Sequence, residues 1–96
     1  MTIKTLLVAN RGEIARRIFR TAKSMGITCV AVYTNTDSNE PFVKEADKAI
    51  RLSTSYLDEA EIINAAKKTE SDAIHPGYGF LSENASFAKA VTEEGI

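Results

Sequence analysis

Residues 3–33 read "IKTLLVANRGEIARRIFRTAKSMGITCVAVY", and the pattern of this stretch decides the fold. Ile3 to Ala9 and Thr28 to Tyr33 are continuous apolar runs rich in Val, Ile, Leu and Tyr, the mark of strands buried on both faces. Between them Ile14, Ile18, Ala22 and Met25, joined by Ala15 and Phe19, recur at helical spacing and make one apolar stripe. Gly26 stops that helix, because a glycine takes the left-handed turn that closes a helix end without steric cost. The stretch is a β-α-β unit.

The remaining residues repeat the alternation. Ala49 to Leu52 reads as a short strand. "LDEAEIINAAKK" (57–68) opens a helix with Asp58 as N-cap, Glu61 as capping-box partner and Leu57 against Ile62 as a hydrophobic staple. Its buried side is expected at Ile62, Ile63 and Ala66. Ala73-Ile74-His75 ends another strand. Ser82 is expected to cap a last helix running through Glu94, with Phe87, Ala88 and Val91 inward and Gly95 as its stop. Strands alternating with helices predict an α/β, Rossmann-like three-layer sandwich around a parallel sheet of order 3-2-1-4. Thr34 to Asp47 reads as a polar surface loop with one helical turn from Pro41 and no function of its own. A helix stop at Gly95-Ile96, where a further strand is due, reads as a fold truncated before its next strand.

The totals narrow the function classes. Ninety-six residues allow one modest domain. Twelve Lys and Arg against thirteen Asp and Glu give no excess that would attract nucleic acid or an anionic membrane. Basic residues nevertheless gather on the first helix, where Arg16, Arg17, Arg20 and Lys23 form an outer face, either solvated or meeting an acidic surface on another subunit. The single cysteine, Cys29, excludes an internal disulfide and reads as buried core. The apolar stretch Leu6 to Ala9 is too short for a signal-peptide core, so a cytoplasmic location is expected, or an organelle if a targeting segment has been removed.

In an open α/β sheet ligands collect beyond the carboxyl ends of the strands. Two loops lie there: "ANRGEIA" (9–15) and "HPGYGFLSEN" (75–84). The first has one glycine and fails the dinucleotide and P-loop patterns. Its local reading makes Asn10 the cap of the first helix and pairs Glu13 with Arg17. In the second, Gly77 and Gly79 flank Tyr78, so the backbone is free to turn sharply beside an aromatic. That tyrosine either packs over the sheet end or faces a ligand. His75, the only histidine, has no partner that would make it a metal ligand or general base, and reads as a structural strand end. A phosphoacceptor domain would need an acidic pair after strand 1, where Asn10 stands. A stand-alone nucleotide-binding module and a noncatalytic dimerisation domain remain as alternatives.

Taken together, "LLVANRGEIARRIFRTAKSMGI" and "DAIHPGYGFLSENASFAKAVTEEGI" closely resemble the N-terminal (pre-ATP-grasp) domain of biotin carboxylases, over essentially all of residues 1–96. "PFVKEADKAIRL" looks most like the acyl-CoA carboxylase version, with pyruvate carboxylases close. At "LSTSYLDEAE" the loop is shorter than is usual in the family. The resemblance implies a ligase that activates bicarbonate with MgATP, through carboxyphosphate, and carboxylates biotin on a carrier domain. A carboxyltransferase then passes the carboxyl group to an acyl-CoA, as in fatty acid metabolism, or to pyruvate. ATP and Mg²⁺ belong, by the same resemblance, to ATP-grasp and C-terminal domains absent from these residues, so no catalytic residue and no metal ligand carries over and the chain alone is expected to be inactive. The substrate-binding residues that do carry over are Gly77, Tyr78 and Gly79, facing the biotin side of the cleft. Arg17 and Arg20 carry over as the homodimer contact, although Ser24 replaces an acidic partner one turn on.

Overall fold

The computed structural model describes residues 3–82 and 84–96. Four strands, β1 (Thr5–Val8), β2 (Thr28–Tyr33), β3 (Lys48–Arg51) and β4 (Ala73–His75), form one parallel sheet in the order β3-β2-β1-β4. Among the described residues the helices are α1 (Gly12–Ser24), α2 (Pro41–Glu45), α3 (Glu59–Lys68) and α4 (Ala85–Glu93), with a 3₁₀ turn at Asn35–Asp37. The expected strand order and layer arrangement are therefore present.

Alternation along the central strands divides the core in two. Leu6, Val8, Cys29 and Ala31 face α1 and α2 and pack with Ala15, Phe19, Ala22 and Phe42. Leu7, Val30 and Val32 face the other way and pack with Ile62, Ala66, Leu81 and Phe87 from the side of α3 and α4. Phe19 and Phe42 are almost fully enclosed, and each such burial contributes roughly 1.5–3 kcal/mol. Cys29 is a buried free thiol whose pKa is raised, first by desolvation.

Both helix ends read from glycine and Asp58 are realised, with differences in detail. Gly26 has φ +75°, its N–H donates to Lys23 O, and Ile27 N–H donates to Ala22 O, the paired bonds of a Schellman close. Met25 lies just past the helix and is 69% exposed, so it leaves the stripe that its spacing assigned to it. Asp58 accepts from Glu61 N–H as expected of an N-cap. Glu61, however, does not reach back to Asp58. Its carboxylate accepts from the backbone N–H groups of Ser53 and Thr54 and from both hydroxyls, which holds its pKa down to about 2, the Ser53 N–H being the largest cause. Leu57 is largely exposed and closes no staple on the buried Ile62.

Several further expectations are corrected. Strand pairing begins at Thr5, leaving Ile3 exposed, and β3 sits one residue earlier than its apolar run because Leu52 turns into the core. The cap of α4 is Asn84, accepting from Phe87 N–H at 3.1 Å, and not Ser82, which lies in the turn that its N–H closes on Gly79 O, ahead of the helix. Ala88 is exposed, and Ala90 joins Phe87 and Val91 against the core in its place. On α1, Glu13 pairs with Arg16 and Arg20, one turn or two away, and not with Arg17. Arg16 also makes a bidentate pair with Glu45 of α2, and Lys23 Nζ donates to the Glu45 carbonyl. Two of the four basic residues expected to point outward thus bind α1 to α2.

Candidate functional site at the carboxyl rim of the sheet

β1 and β4 are hydrogen-bonded neighbours, so the loops that follow them leave the sheet side by side. The ladder runs one step past the strands, Ala9 N–H donating to His75 O at 2.9 Å. Asn10, 1% exposed, completes the junction. Its Nδ2 donates to Pro76 O (2.8 Å) and Tyr78 O (2.6 Å), while its Oδ1 accepts from Arg11 N–H. It is therefore a bridge between loops and not the cap of α1. Arg11 occupies the cap position and offers no side-chain cap bond.

Gly77 is forced by this junction. Its φ is +67°, and a Cβ there would stand 2.8 Å from both Asn10 Nδ2 and Ile14 Cγ2. Gly79, at φ +66°, is also left-handed but faces open space. Between them Tyr78 is 78% exposed and stands clear of the core. A groove of about 530 Å³ beside it is lined by Ile14, Arg17, Ile18, Thr21, His75 and Tyr78. His75 Nδ1 accepts from Gly77 N–H, the structural bond expected of a strand end before proline.

The loop from Thr34 to Asp47 is not an inert surface segment, because it delivers Asp37 to the rim. Asp37 is 3% exposed and accepts two hydrogen bonds from Arg11, Nε to Oδ2 and NH2 to Oδ1, each 2.6 Å. The Tyr56 hydroxyl donates to Oδ2 at 2.5 Å and accepts from Thr34 N–H. Arg11 is the main cause that lowers the Asp37 pKa; the same pair raises that of Arg11, chiefly through the hydrogen bond. Tyr56 is pushed up to about 12, first by burial and then by Asp37. The fork geometry of guanidinium on carboxylate suits an arginine and not a lysine at position 11.

Tyr78, Gly77 and Gly79 are brought together on one loop, and Arg17 reaches the same groove from α1. Arg20 lies apart, exposed and paired with Glu13 at 2.9 Å. Sequence reasoning missed Asp37 and Tyr56; the one available signal was an acid and an aromatic each placed in a loop after a strand. Among the described residues no three His, Cys, Asp or Glu side chains cluster as a metal site, and no helix is long and apolar enough to cross a membrane.

Residues 2–96 match the sequence family described as Biotin carboxylase, N-terminal domain. The alpha subunit of the mitochondrial methylcrotonoyl-CoA carboxylase of Glycine max is 52% identical over 99 residues, covering 98% of this chain and 14% of that protein. Biotin carboxylase 2 of Bacillus subtilis is 51% identical over 96 residues, covering 95% of this chain and 22% of its own length. Among solved structures, the biotin carboxylase domain dimer of Hydrogenobacter thermophilus 2-oxoglutarate carboxylase, in complex with MgADP, ADP and bicarbonate, superposes with a TM-score of 0.96 at 44% identity, covering 100% of this chain and 22% of that one. The chain thus spans about a fifth or less of these relatives, and over that span it belongs to the biotin carboxylase N-terminal domain family.

Proposed function

We propose that this chain supplies the biotin-facing wall of an ATP-dependent biotin carboxylase, which carboxylates biotin on a carrier domain from bicarbonate for use by a carboxyltransferase. The observation that carries this reading is the exposed Tyr78 on a loop whose shape is held by Gly77 against Asn10. A flat, amphipathic phenol beside accessible backbone suits a bicyclic ureido ligand, which needs one apolar surface and a few polar contacts. Gly77 and Gly79 let the loop lie against the cleft, and Tyr78 shields one side of the ring from water. ATP and Mg²⁺ supply the phosphoryl chemistry that activates bicarbonate, and other domains of the enzyme hold them. Propionyl-CoA and methylcrotonoyl-CoA carboxylases among the relatives support an acyl-CoA as final acceptor, with pyruvate as the other reading. A cytoplasmic enzyme remains our expectation, although plant and animal relatives carry mitochondrial names.

Tyr78→Ala in the full carboxylase tests the reading. KM for free biotin should rise roughly five- to tenfold while KM for ATP stays within about twofold, the split expected of a lost ligand contact. Equal changes in both constants, or none, would return Tyr78 to the role of a loop residue.

A further inference from the structure

One connected set of side chains takes a member from each of the four loops at the carboxyl rim. Arg11 follows β1, Asp37 follows β2, Tyr56 follows β3 and Phe80 follows β4. Arg11 and the Tyr56 hydroxyl converge on the Asp37 carboxylate. On its other side the Tyr56 ring meets Phe80, with centroids 5.3 Å apart and planes inclined by 32°. Phe80 has φ +45°, a left-handed conformation that a bulky side chain adopts only when its surroundings hold it there. Phe80 is 42% exposed, and Tyr56 is the aromatic partner that backs its ring.

We propose that Tyr56 is a positioning residue for the biotin-facing loop: its hydroxyl is anchored on Asp37, and its ring fixes Phe80 and with it the attitude of Tyr78 two residues earlier. The inference rests on the reading of Tyr78 given above and goes beyond it by placing the control of that loop in the β3–α3 connection. The alternative role for Tyr56 is core packing alone, since it is 6% exposed among Leu52, Ile62 and Leu81. The two roles differ in what they do to substrates. Core packing affects stability and treats biotin and ATP alike, whereas a positioning role moves biotin selectively.

The test uses the full carboxylase carrying Tyr56→Leu, Phe80→Leu, the double substitution, and Tyr56→Phe, which keeps the ring and removes only the anchor. Each Leu variant should raise KM for free biotin by about fivefold, the fold-change that matches loss of an aromatic pair, with KM for ATP changed by less than about twofold. The double variant should do no more than the worse single one, because both break the same contact. Tyr56→Phe, which conserves packing, should give an intermediate rise of about twofold. A Tyr56→Leu enzyme with a lowered Tm and unaltered biotin KM, or additive effects in the double variant, overturns the proposal. If Tyr78→Ala itself leaves biotin KM untouched, the ligand assignment fails. The positioning link is then read from amide hydrogen exchange over residues 76–82, which must still quicken in Tyr56→Leu and Tyr56→Phe; unchanged exchange overturns the link as well.

Discussion

At the scale of single residues, Gly77 and Gly79 separate two effects that a sequence presents as one. Both sit at nearly the same positive φ, so both carry the conformational cost of any Cβ. Only Gly77 is also crowded, by Asn10 and Ile14 at 2.8 Å. Gly79→Ala should therefore cost about 1 kcal/mol, and Gly77→Ala roughly 3 kcal/mol, the excess being steric. Urea denaturation of the two variants measures the difference. Equal losses would mean that Asn10 gives way freely, and the bridge between the loops would then be weaker than its 2.6 Å contact indicates. The same comparison carries into function, because a displaced Asn10 releases the carbonyls of Pro76 and Tyr78 together.

At the scale of elements, what was legible in the sequence was what is decided locally. The two strand runs, the α1 stripe, the Gly26 stop and the Asp58 cap all depend on residues within a few positions of one another. Asn10 was misread because its true acceptors lie 66 and 68 residues away, and nothing near it marks them. Asp37 looked like loop polarity because Arg11 and Tyr56 are 26 and 19 positions distant. The start of α4 failed for a subtler reason: Ser82 and Asn84 are both good capping residues, and the turn from Gly79 to Ser82 places the helix start beyond the first of them. Asn84→Ala should lower stability by about 1 kcal/mol, whereas Ser82→Ala should stay within about 0.5 kcal/mol. Thermal denaturation decides it, and the reverse order would restore the helix start that the serine suggested.

At the scale of the whole molecule, the two faces of the sheet divide the labour. α1 and α2 lie on one side, bound together by Arg16, Lys23 and Glu45, and leave Arg17 and Arg20 outward. α3 and α4 lie on the other, joined by the exposed pair of Lys67 with Glu94. If the α1 face meets a second subunit, charge reversal at Arg20 should act on assembly and leave the fold intact. Arg20 and Glu13 are 67% and 62% exposed, and an ion pair so placed contributes at most about 1 kcal/mol to stability. Across an interface the same reversal sets like charges against a desolvated surface, a far larger penalty. Arg20→Glu in the full carboxylase should therefore shift sedimentation from dimer toward monomer with little change in Tm. Lys89→Glu, an equal charge reversal on α4 beside Glu93, supplies the control and should sediment as the parent does. A dimer that survives Arg20→Glu, or falls apart equally with Lys89→Glu, would place the subunit contact elsewhere than α1.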